Sequence, residues 1–447
     1  MKENIIDNSP LTPFHKKLTL IATGGVFIDG YILSIIGPAL PLFAEQYQVD
    51  ALWLGLIGAS TLLGILLGGA LFGYITDIVG RNAMFTLDLL AFLAASIGQF
   101  FADSAWELCV WRLIMGIAVG ADYPIATALL SEFLPKKHRA PLLGMTMIMW
   151  FVGAIVAYIV GYTLATFVGG PTVWKWMLVS SAVPTIILLL LRLGTPESPR
   201  WLLSKGRVDE ADKVIKQVYG PEASIEDIYE DDEQDDKVGL RTLLQPEYLK
   251  RIVFIGVTWT CAVIPLFALY TFGPRILEQF NMAEGNSALL GESLINLCFL
   301  IGCIILSYML NSLGRRPVMT WSFLLMAIPL LIMGLFPDAP IWVIMVGFAA
   351  YAILSGGPNI LVFVYPNELF PTKLRGTAVG IVTAFSRLGS FVGVFLLPLG
   401  IERYGIGPIM LIGFAITFVG FLVSYALAPE TKGMTLAEAS KINTKAM

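Results

Sequence analysis

Charged residues are scarce in this chain of 447 residues. Lys, Arg, Asp and Glu together make up 14% of the sequence and hydrophobic residues 56%, whereas soluble domains contain about 25% charged and about 45–50% apolar residues. So large an apolar excess cannot be hidden in one soluble core. The net charge is −4, and the absence of a basic tail or stripe excludes nucleic acid as a partner.

Histidine and cysteine are also rare, with two and four residues respectively. The cysteines lie within apolar runs and have neither the spacing of a disulfide framework nor the CxxC pairs of a zinc site. His15 and His138 lie in polar segments, and no GxSxG, Walker or HExxH motif occurs. We therefore expect no enzyme activity, no cofactor and no metal site.

Long apolar runs are what the sequence does contain. A membrane-crossing helix needs about 20 mainly apolar residues, and each such helix satisfies its own backbone hydrogen bonds in lipid. The sequence predicts an all-α membrane protein with twelve transmembrane helices in a lipid bilayer. The predicted spans are 17–41, 53–76, 83–102, 106–132, 141–166, 174–194, 251–273, 288–311, 317–336, 340–366, 374–399 and 406–427.

Positive charge is concentrated in alternate loops between these spans. The loops of one side contain Lys16, Lys17, Arg81, Lys136, Lys137, Arg139, Arg315, Arg316, Lys373, Arg375 and Lys432. The positive-inside rule places this side in the cytoplasm. We expect a multi-pass protein of the plasma or inner membrane with both termini cytoplasmic, as an even number of spans requires.

The longest polar stretch divides the spans into six and six. The predicted units are an N-terminal bundle (1–194), a cytoplasmic linker with short helices (195–250), a C-terminal bundle (251–427) and a cytoplasmic tail (428–447). The linker contains the acidic run IEDIYEDDEQDDK. A solvated connection is its simplest interpretation, and a regulatory or partner-binding role is the alternative.

The two halves repeat each other in their loops. Glu132, Pro135, Arg139 and Gly144 recur with identical spacing as Glu368, Pro371, Arg375 and Gly380. At nearly the same offset, Asp77, Gly80 and Arg81 correspond to Asn311, Gly314 and Arg315. This duplication predicts two six-helix bundles related by a pseudo-two-fold axis, with a substrate site between them near the midplane.

With these features the chain resembles the major facilitator superfamily over essentially its whole length. GYITDIVGR is similar to the loop motif that follows the second span in that superfamily, although Ile78 and Asn82 replace basic residues. An Asp and an Arg at a helix end can form charge-assisted bonds that break when the bundles rock. The predicted gating residues are Asp77, Arg81, Glu132, Arg139, Arg315, Glu368 and Arg375.

Further motifs bear on the branch within the superfamily. PESPRWLLSKGR and PETKG resemble both the sugar porters and the organic-ion transporters. The seventh span, VTWTCAVIPLFALYTFGP, lacks the Gln-rich and Asn-containing pattern of sugar porters, and Phe363 replaces their Trp. YPNELFPTKLRG and SRLGS resemble the organic cation and anion transporters and the synaptic-vesicle-protein-like bacterial relatives, which is the branch that we favour.

Three charges within the spans have no charged counterpart in the other half: Asp29, Asp122 and Arg387. Their counterparts are Ile264, Pro358 and Phe151. Because a buried carboxylate can load and release a proton as its surroundings change, Asp29 and Asp122 are the predicted proton-coupling residues. The alternative for each is a structural carboxylate bonded to a nearby group such as Arg112.

Arg387 indicates the charge of the substrate. In the organic-ion branch the matching position is basic in anion carriers, and a planar guanidinium binds a carboxylate through two hydrogen bonds. The alternative partner is internal, Asp29 or Asp122. Aromatic residues of the predicted cavity complete the proposed substrate site, although each taken singly is more often a packing residue. They are Tyr31, Tyr123, Trp150, Trp259, Tyr270 and Tyr365.

Together these features predict a secondary active transporter that takes up a small organic anion by proton symport and works as a monomer. GADYP also resembles the proton-coupled phosphate carriers, but Val263 and Phe267 replace two of three expected ligands in the seventh span. Phosphate and sugar transport are therefore the alternatives. A transporter-like sensor that binds a ligand without moving it is the alternative from another class.

Overall fold

The computed structural model describes residues 10–221, 223, 243, 245–280, 286–370 and 372–434. Within these ranges some residues are described by their backbone alone. They are residues 70, 73, 74, 76, 77, 81, 123–132, 136–141, 143, 144, 200, 204, 286, 287, 311 and 372–376.

All regular structure in the described part of the chain is helical. The helices of the N-terminal half and linker are α1 (Pro13–Tyr47), α2 (Ala51–Val79), α3 (Arg81–Phe100), α4 (Ala105–Phe133), α5 (Lys136–Phe167), α6 (Val173–Val179), α7 (Ala182–Arg192), α8 (Pro199–Ser204) and α9 (Val208–Tyr219). Those of the C-terminal half are α10 (Pro246–Gln279), α11 (Asn286–Leu313), α12 (Arg315–Leu335), α13 (Ile341–Leu369), α14 (Thr372–Tyr404) and α15 (Ile406–Leu427).

Eleven of the predicted spans correspond to segments that are long and apolar enough to cross a membrane. The remaining predicted span, 106–132, is α4, a helix of 29 residues that includes Arg112 and Asp122. The sixth span is divided into α6 and α7, with Ser180 and Ser181 between them. At this break the hydroxyl of Ser181 is hydrogen-bonded to the hydroxyl of Ser96 of α3 at 2.7 Å.

The backbones of α1 and α5 are in close contact because a glycine of each helix lies against the main chain of the other. A methyl group at Gly30 would overlap the carbonyl group of Trp150, and one at Gly153 would overlap the carbonyl oxygen of Phe27. Small residues at a helix interface permit such an approach in membranes. The contact fixes α1 against α5.

Replacing Gly30 by alanine is expected to lower the melting temperature of the purified protein. The added methyl group meets backbone that cannot rotate away, and overpacking of this kind costs about 1–3 kcal/mol. The matched control is Gly380→Ala in α14, where a methyl group would meet nothing within 4 Å. Equal melting temperatures for the two variants would contradict the close packing of α1 on α5.

The linker helices pack on the N-terminal bundle. Trp201 of α8 and Val214 of α9 share a buried apolar cluster with Leu18 of α1 and Phe133 of α4. The Tyr219 hydroxyl donates a hydrogen bond to the carbonyl oxygen of Phe133 at 2.8 Å. Two short helices, α8 and α9, thus follow the N-terminal bundle, whereas residues 224–242, with the acidic run, lie outside the described residues.

We call the membrane face with the start of α1, the linker helices and the start of α10 the terminal face, and the other one the opposite face. Several contacts between the bundles lie toward the opposite face. Tyr158 of α5 donates to the carbonyl oxygen of Tyr270 of α10 at 2.9 Å, and a methyl group at Gly55 of α2 would overlap the carbonyl oxygen of Phe395 of α14. These contacts join the two bundles toward the opposite face.

Candidate transport site

Asp29 lies on α1 and is completely buried (0% exposed). Neither of its carboxylate oxygens has a hydrogen-bond partner among the described residues. Arg387 of α14, also buried (5% exposed), lies within electrostatic range of this carboxylate. The structure therefore brings the predicted proton carrier together with the predicted substrate anchor, one from each bundle.

A second carboxylate pair lies beside Asp29. The carboxyl groups of Asp122 on α4 and Asp88 on α3 are within hydrogen-bonding range of each other, and no N–H or O–H donor among the described side chains and backbone reaches either. Because two adjacent buried carboxylates repel each other, this pair is stable when it shares one proton. Both carboxyls are buried. Both also lie within electrostatic range of Asp29.

Gly25 sets the distance between Asp122 and Asp29. A methyl group at Gly25 would lie 2.8 Å from Oδ2 of Asp122, so this carboxyl packs against the backbone of α1. Gly25 precedes Asp29 by four residues, which is a rise of about 6 Å along the helix. The three carboxyls thus form one group on the inner side of the N-terminal bundle.

Arg192 connects this carboxyl group to the terminal face. Its Nη2 donates to the backbone oxygen of Asn82 at 2.8 Å and to Oδ1 of Asn82 at 2.8 Å. The guanidinium carbon lies 3.7 Å from the ring centroid of Phe85, and Asp88 and Asp122 are both within its electrostatic range. Arg112, by contrast, donates to the carbonyl oxygen of Ile32 at 3.3 Å, so it does not serve as the carboxylate partner considered in the alternative interpretation.

The predicted substrate-binding aromatics divide into two groups. Trp150 and Tyr270 lie together, with ring centroids 5.0 Å apart, and Trp150 also contacts Phe267 at 6.3 Å. The Arg387 guanidinium lies 5.2 Å from the Phe267 ring. Phe267 therefore lies between Arg387 and Trp150, and Tyr270 lies on from Trp150.

The other predicted aromatics have other contacts. The Tyr31 hydroxyl is hydrogen-bonded to Oγ of Ser180 at 2.6 Å, and Trp259 packs edge-on against Phe363. The Tyr365 hydroxyl donates to the carbonyl oxygen of Pro429 at 2.9 Å, which places Tyr365 with the gating residues and not with Arg387. The side chain of Tyr123 lies outside the described residues.

Two of the predicted gating residues, Arg315 and Glu368, belong to a polar network at the terminal face. Nη2 of Arg315 contacts Oε1 of Glu368 at 3.1 Å, and Glu368 also accepts a hydrogen bond from the hydroxyl of Thr431. Glu430, of the PETKG motif, accepts hydrogen bonds from the backbone N–H groups of Arg315 and Arg316 at 3.0 and 3.1 Å. The side chains of the other predicted gating residues lie outside the described ones; they are Asp77, Arg81, Glu132, Arg139 and Arg375.

The N-terminal half has an equivalent of Glu430. Glu197, of the PESPR motif, accepts hydrogen bonds from the backbone N–H of Asn82 at 3.1 and 3.0 Å. Each glutamate thus binds the first turn of the helix after a corresponding glycine, Gly80 or Gly314, both with positive φ. A carboxylate is favourable there because helix N-termini expose unpaired N–H groups with a positive partial charge.

Replacing Glu430 by alanine is expected to destabilise the protein by about 1–3 kcal/mol, because it removes a charged acceptor from partly buried N–H groups. The measurement is the melting temperature in detergent. Glu402→Ala, an exposed glutamate at the far end of α14, is the control. A melting temperature unchanged in both variants would contradict the capping role.

Two buried acids, Asp88 and Glu292, escaped the sequence analysis. The offset that relates Gly80 to Gly314 places Ser322 opposite Asp88 and Gly58 opposite Glu292. The test for charges present in one half alone, which selected Asp29, therefore applies equally to these two residues. Applying it to every span would have found both.

Comparison with known proteins now identifies the family. The sequence profile described as "Sugar (and other) transporter" matches residues 18–442. This chain belongs to that family. The chain is 43% identical to the putative metabolite transport protein YaaU of Escherichia coli (strain K12), over 98% of this chain and 97% of that protein. It is 34% identical to the inner membrane metabolite transport protein YgcS of the same organism, over 98% and 96% of the two chains.

Solved structures confirm the helical architecture of this protein. A partially occluded, inward-open structure of the xylose transporter XylE from Escherichia coli matches with a TM-score of 0.80 and 20% sequence identity, over 95% of this chain and 100% of that one. The all-α major facilitator fold is therefore confirmed. The family match, and not the structural likeness, identifies the protein as a transporter. The protein is a multi-pass membrane transporter. The family match supports the sugar-porter side of the superfamily and not the organic-ion branch that the sequence analysis favoured.

Proposed function

We propose that this transporter takes up a small organic anion with a carboxylate group, together with protons. The observation that supports the proposal most directly is Arg387, a buried cation without a charged counterpart in the other bundle, within electrostatic range of Asp29. A buried guanidinium cannot neutralise itself by losing its proton, so it requires an anion nearby at each stage of transport. We propose that Asp29 and the substrate carboxylate fill this role in turn.

The coupling follows from this exchange of partners. While Asp29 is ionised, its charge balances that of Arg387. Proton binding to Asp29 removes the negative charge and leaves the guanidinium available for the substrate carboxylate. Proton and anion then bind together, and the bundles rock with both in place. The Asp88–Asp122 pair is a second place where a proton is held or released.

A second candidate is uptake of a neutral sugar. It draws on the family description and on XylE, which is a proton:xylose symporter. Against it stand the missing Gln-rich pattern of the seventh span and the charge of Arg387, for which a neutral sugar offers no partner. Phosphate, the other alternative, supplies an anion but needs ligands that Val263 and Phe267 do not provide.

Orientation and assembly belong to the same proposal. The distribution of lysine and arginine supports cytoplasmic termini in the plasma or inner membrane. The path between the two bundles of one chain supports a functional monomer. Binding of a ligand without flux across a bilayer would favour the sensor interpretation instead.

A screen of purified protein tests the proposal. A ligand that binds only the folded state stabilises it by RT ln(1 + [L]/Kd), so the melting temperature rises with ligand concentration. We expect shifts with organic acids and none with organic cations, and uptake of the shifting acid into proteoliposomes driven by an inward proton gradient. If organic cations shift the melting temperature and organic anions do not, Asp29 or Asp122 would be the substrate anchor and the proposal would be wrong.

A further inference from the structure

A second buried polar cluster lies in the C-terminal bundle. This Glu292 cluster consists of Glu292 and Asn296 of α11, Tyr270 of α10 and Tyr351 of α13, all with 0% exposure. The Tyr270 phenol is within electrostatic range of both Glu292 and Tyr351. Glu292 and Asn296 are one helical turn apart, which brings their side chains to the same face of α11.

Five side-chain oxygen atoms of the Glu292 cluster lack hydrogen-bond partners among the described residues, whereas Nδ2 of Asn296 donates to the backbone oxygen of Glu292 at 2.9 Å. They are both carboxylate oxygens of Glu292, Oδ1 of Asn296 and the hydroxyl oxygens of Tyr270 and Tyr351. A buried polar group without a partner is unfavourable. So many of them in one place indicate a ligand with several hydroxyl groups, because hydroxyls both donate to carboxylate or amide oxygens and accept from phenols.

An aromatic path joins the cluster to Arg387. The Arg387 guanidinium lies 5.2 Å from the Phe267 ring, Phe267 lies 6.3 Å from Trp150, and Trp150 lies 5.0 Å from Tyr270. Nε1 of Trp150, a hydrogen-bond donor, also has no partner among the described residues. The cluster and Arg387 are therefore two ends of one continuous region.

Helix α10 gives the separation of these two ends along its axis. Arg387 lies beside Phe267, while a methyl group at Gly273 would overlap the carboxyl group of Glu292. Phe267 and Gly273 are six residues apart, which is about 9 Å along the helix. An extended chain advances about 3.5 Å for every three bonds, so a chain of at least about six carbons with terminal oxygens is needed to cover this axial separation.

We propose that the substrate is a polyhydroxy acid, with its carboxylate at Arg387 and its hydroxyl groups at the Glu292 cluster. The proposal rests on the proposed function for its acid end. An acid supplies a carboxylate to the cation Arg387, and hydroxyl groups supply hydrogen bonds to the Glu292 cluster, so a polyhydroxy acid matches both ends. Glu292 acts as the specificity-determining acceptor for the hydroxyl end.

A matched panel of probes tests the substrate class. The hydroxy acids are D-gluconate, D-galactonate, D-glucuronate and D-galacturonate; hexanoate has the carboxylate without the hydroxyls; D-glucose, D-xylose and myo-inositol have hydroxyls without the carboxylate. We expect a hydroxy acid to raise the melting temperature of the wild-type protein and to bind at least about tenfold more tightly than hexanoate.

Variants test the role of the cluster. Glu292→Gln and Tyr351→Phe are expected to reduce the preference for the hydroxy acid over hexanoate, by about tenfold for Glu292→Gln. Glu45→Gln, an exposed glutamate, should leave this preference unchanged. Tyr351→Phe removes a hydroxyl without a described partner, so this variant is expected to fold. If Glu292→Gln does not fold, Tyr351→Phe alone tests the role of the cluster.

Results of two kinds would overturn the inference. The first kind leaves the proposed function intact, and the second kind removes it. Equal affinities for hydroxy acids and hexanoate, or a preference unchanged in both cluster variants, would remove the hydroxyl end and leave anion uptake intact. Shifts with D-glucose, D-xylose or myo-inositol and with none of the acids would remove the acid end, and with it the proposed function.

Discussion

Replacing Arg387 by alanine is expected to weaken binding of the anionic substrate by about two to three orders of magnitude in Kd. Loss of one member of a buried charge pair costs about 3–5 kcal/mol, since the remaining charge stays buried without compensation. In the alanine variant the substrate carboxylate would enter a site that keeps the acidic Asp29 and lacks the charge of Arg387. The measurement is ligand affinity from the shift in melting temperature at several ligand concentrations.

Arg387→Lys separates charge from geometry in the same experiment. An ammonium group restores the charge but cannot form the two parallel hydrogen bonds of a guanidinium, so we expect partial recovery of affinity. Arg403→Ala is the control because Arg403 lies on the same helix, is exposed and contacts the Tyr404 ring. An affinity in Arg387→Ala equal to that in Arg403→Ala would show that Arg387 does not hold the substrate.

The elements that the sequence predicted well are those governed by local physics. A helix in lipid must satisfy its own backbone, so apolar length alone located the spans, and α1, α3 and α12 lie close to their predicted positions. The division of the sixth span at Ser180 and Ser181 was not predicted. Its serines bond to α1 and α3, and such contacts between distant segments leave no local periodicity to detect.

The candidate site was predicted in part for the same reason. Comparing the halves selected Asp29 and Arg387, and the structure brings these two residues into electrostatic range. The partnership of Asp122 with Asp88 depends on how α3 packs against α4, and the placement of Tyr365 depends on where the chain after α15 returns. Neither relation is encoded in a motif or a spacing.

The carboxyl group of the N-terminal bundle has a consequence for proton coupling. Asp29 is the member within electrostatic range of Arg387, whereas Asp88 and Asp122 interact with Arg192 toward the terminal face. A proton that leaves Asp29 therefore has a neighbouring carboxyl pair between it and the terminal face. We propose that in this arrangement Asp29 senses the substrate and the pair holds a proton on its exit path.

Replacing Asp29 by asparagine is expected to abolish uphill uptake driven by an inward proton gradient while preserving exchange of substrate across the membrane. Asparagine has the shape of a protonated aspartate but cannot release a proton, so Arg387 would stay available to the substrate throughout the cycle. Exchange requires the loaded carrier alone, whereas accumulation requires the return of a carrier that has released both proton and substrate.

Proteoliposomes measure both activities of the Asp29→Asn variant in one preparation. Accumulation is followed after imposing an inward proton gradient, and exchange is followed by counterflow of labelled substrate without a gradient. Asp338→Asn, in an exposed loop, controls for the general effect of removing a carboxylate and should retain both activities. Full gradient-driven accumulation in Asp29→Asn would remove this residue from the coupling mechanism, and the Asp88–Asp122 pair would then be the site where the proton is carried.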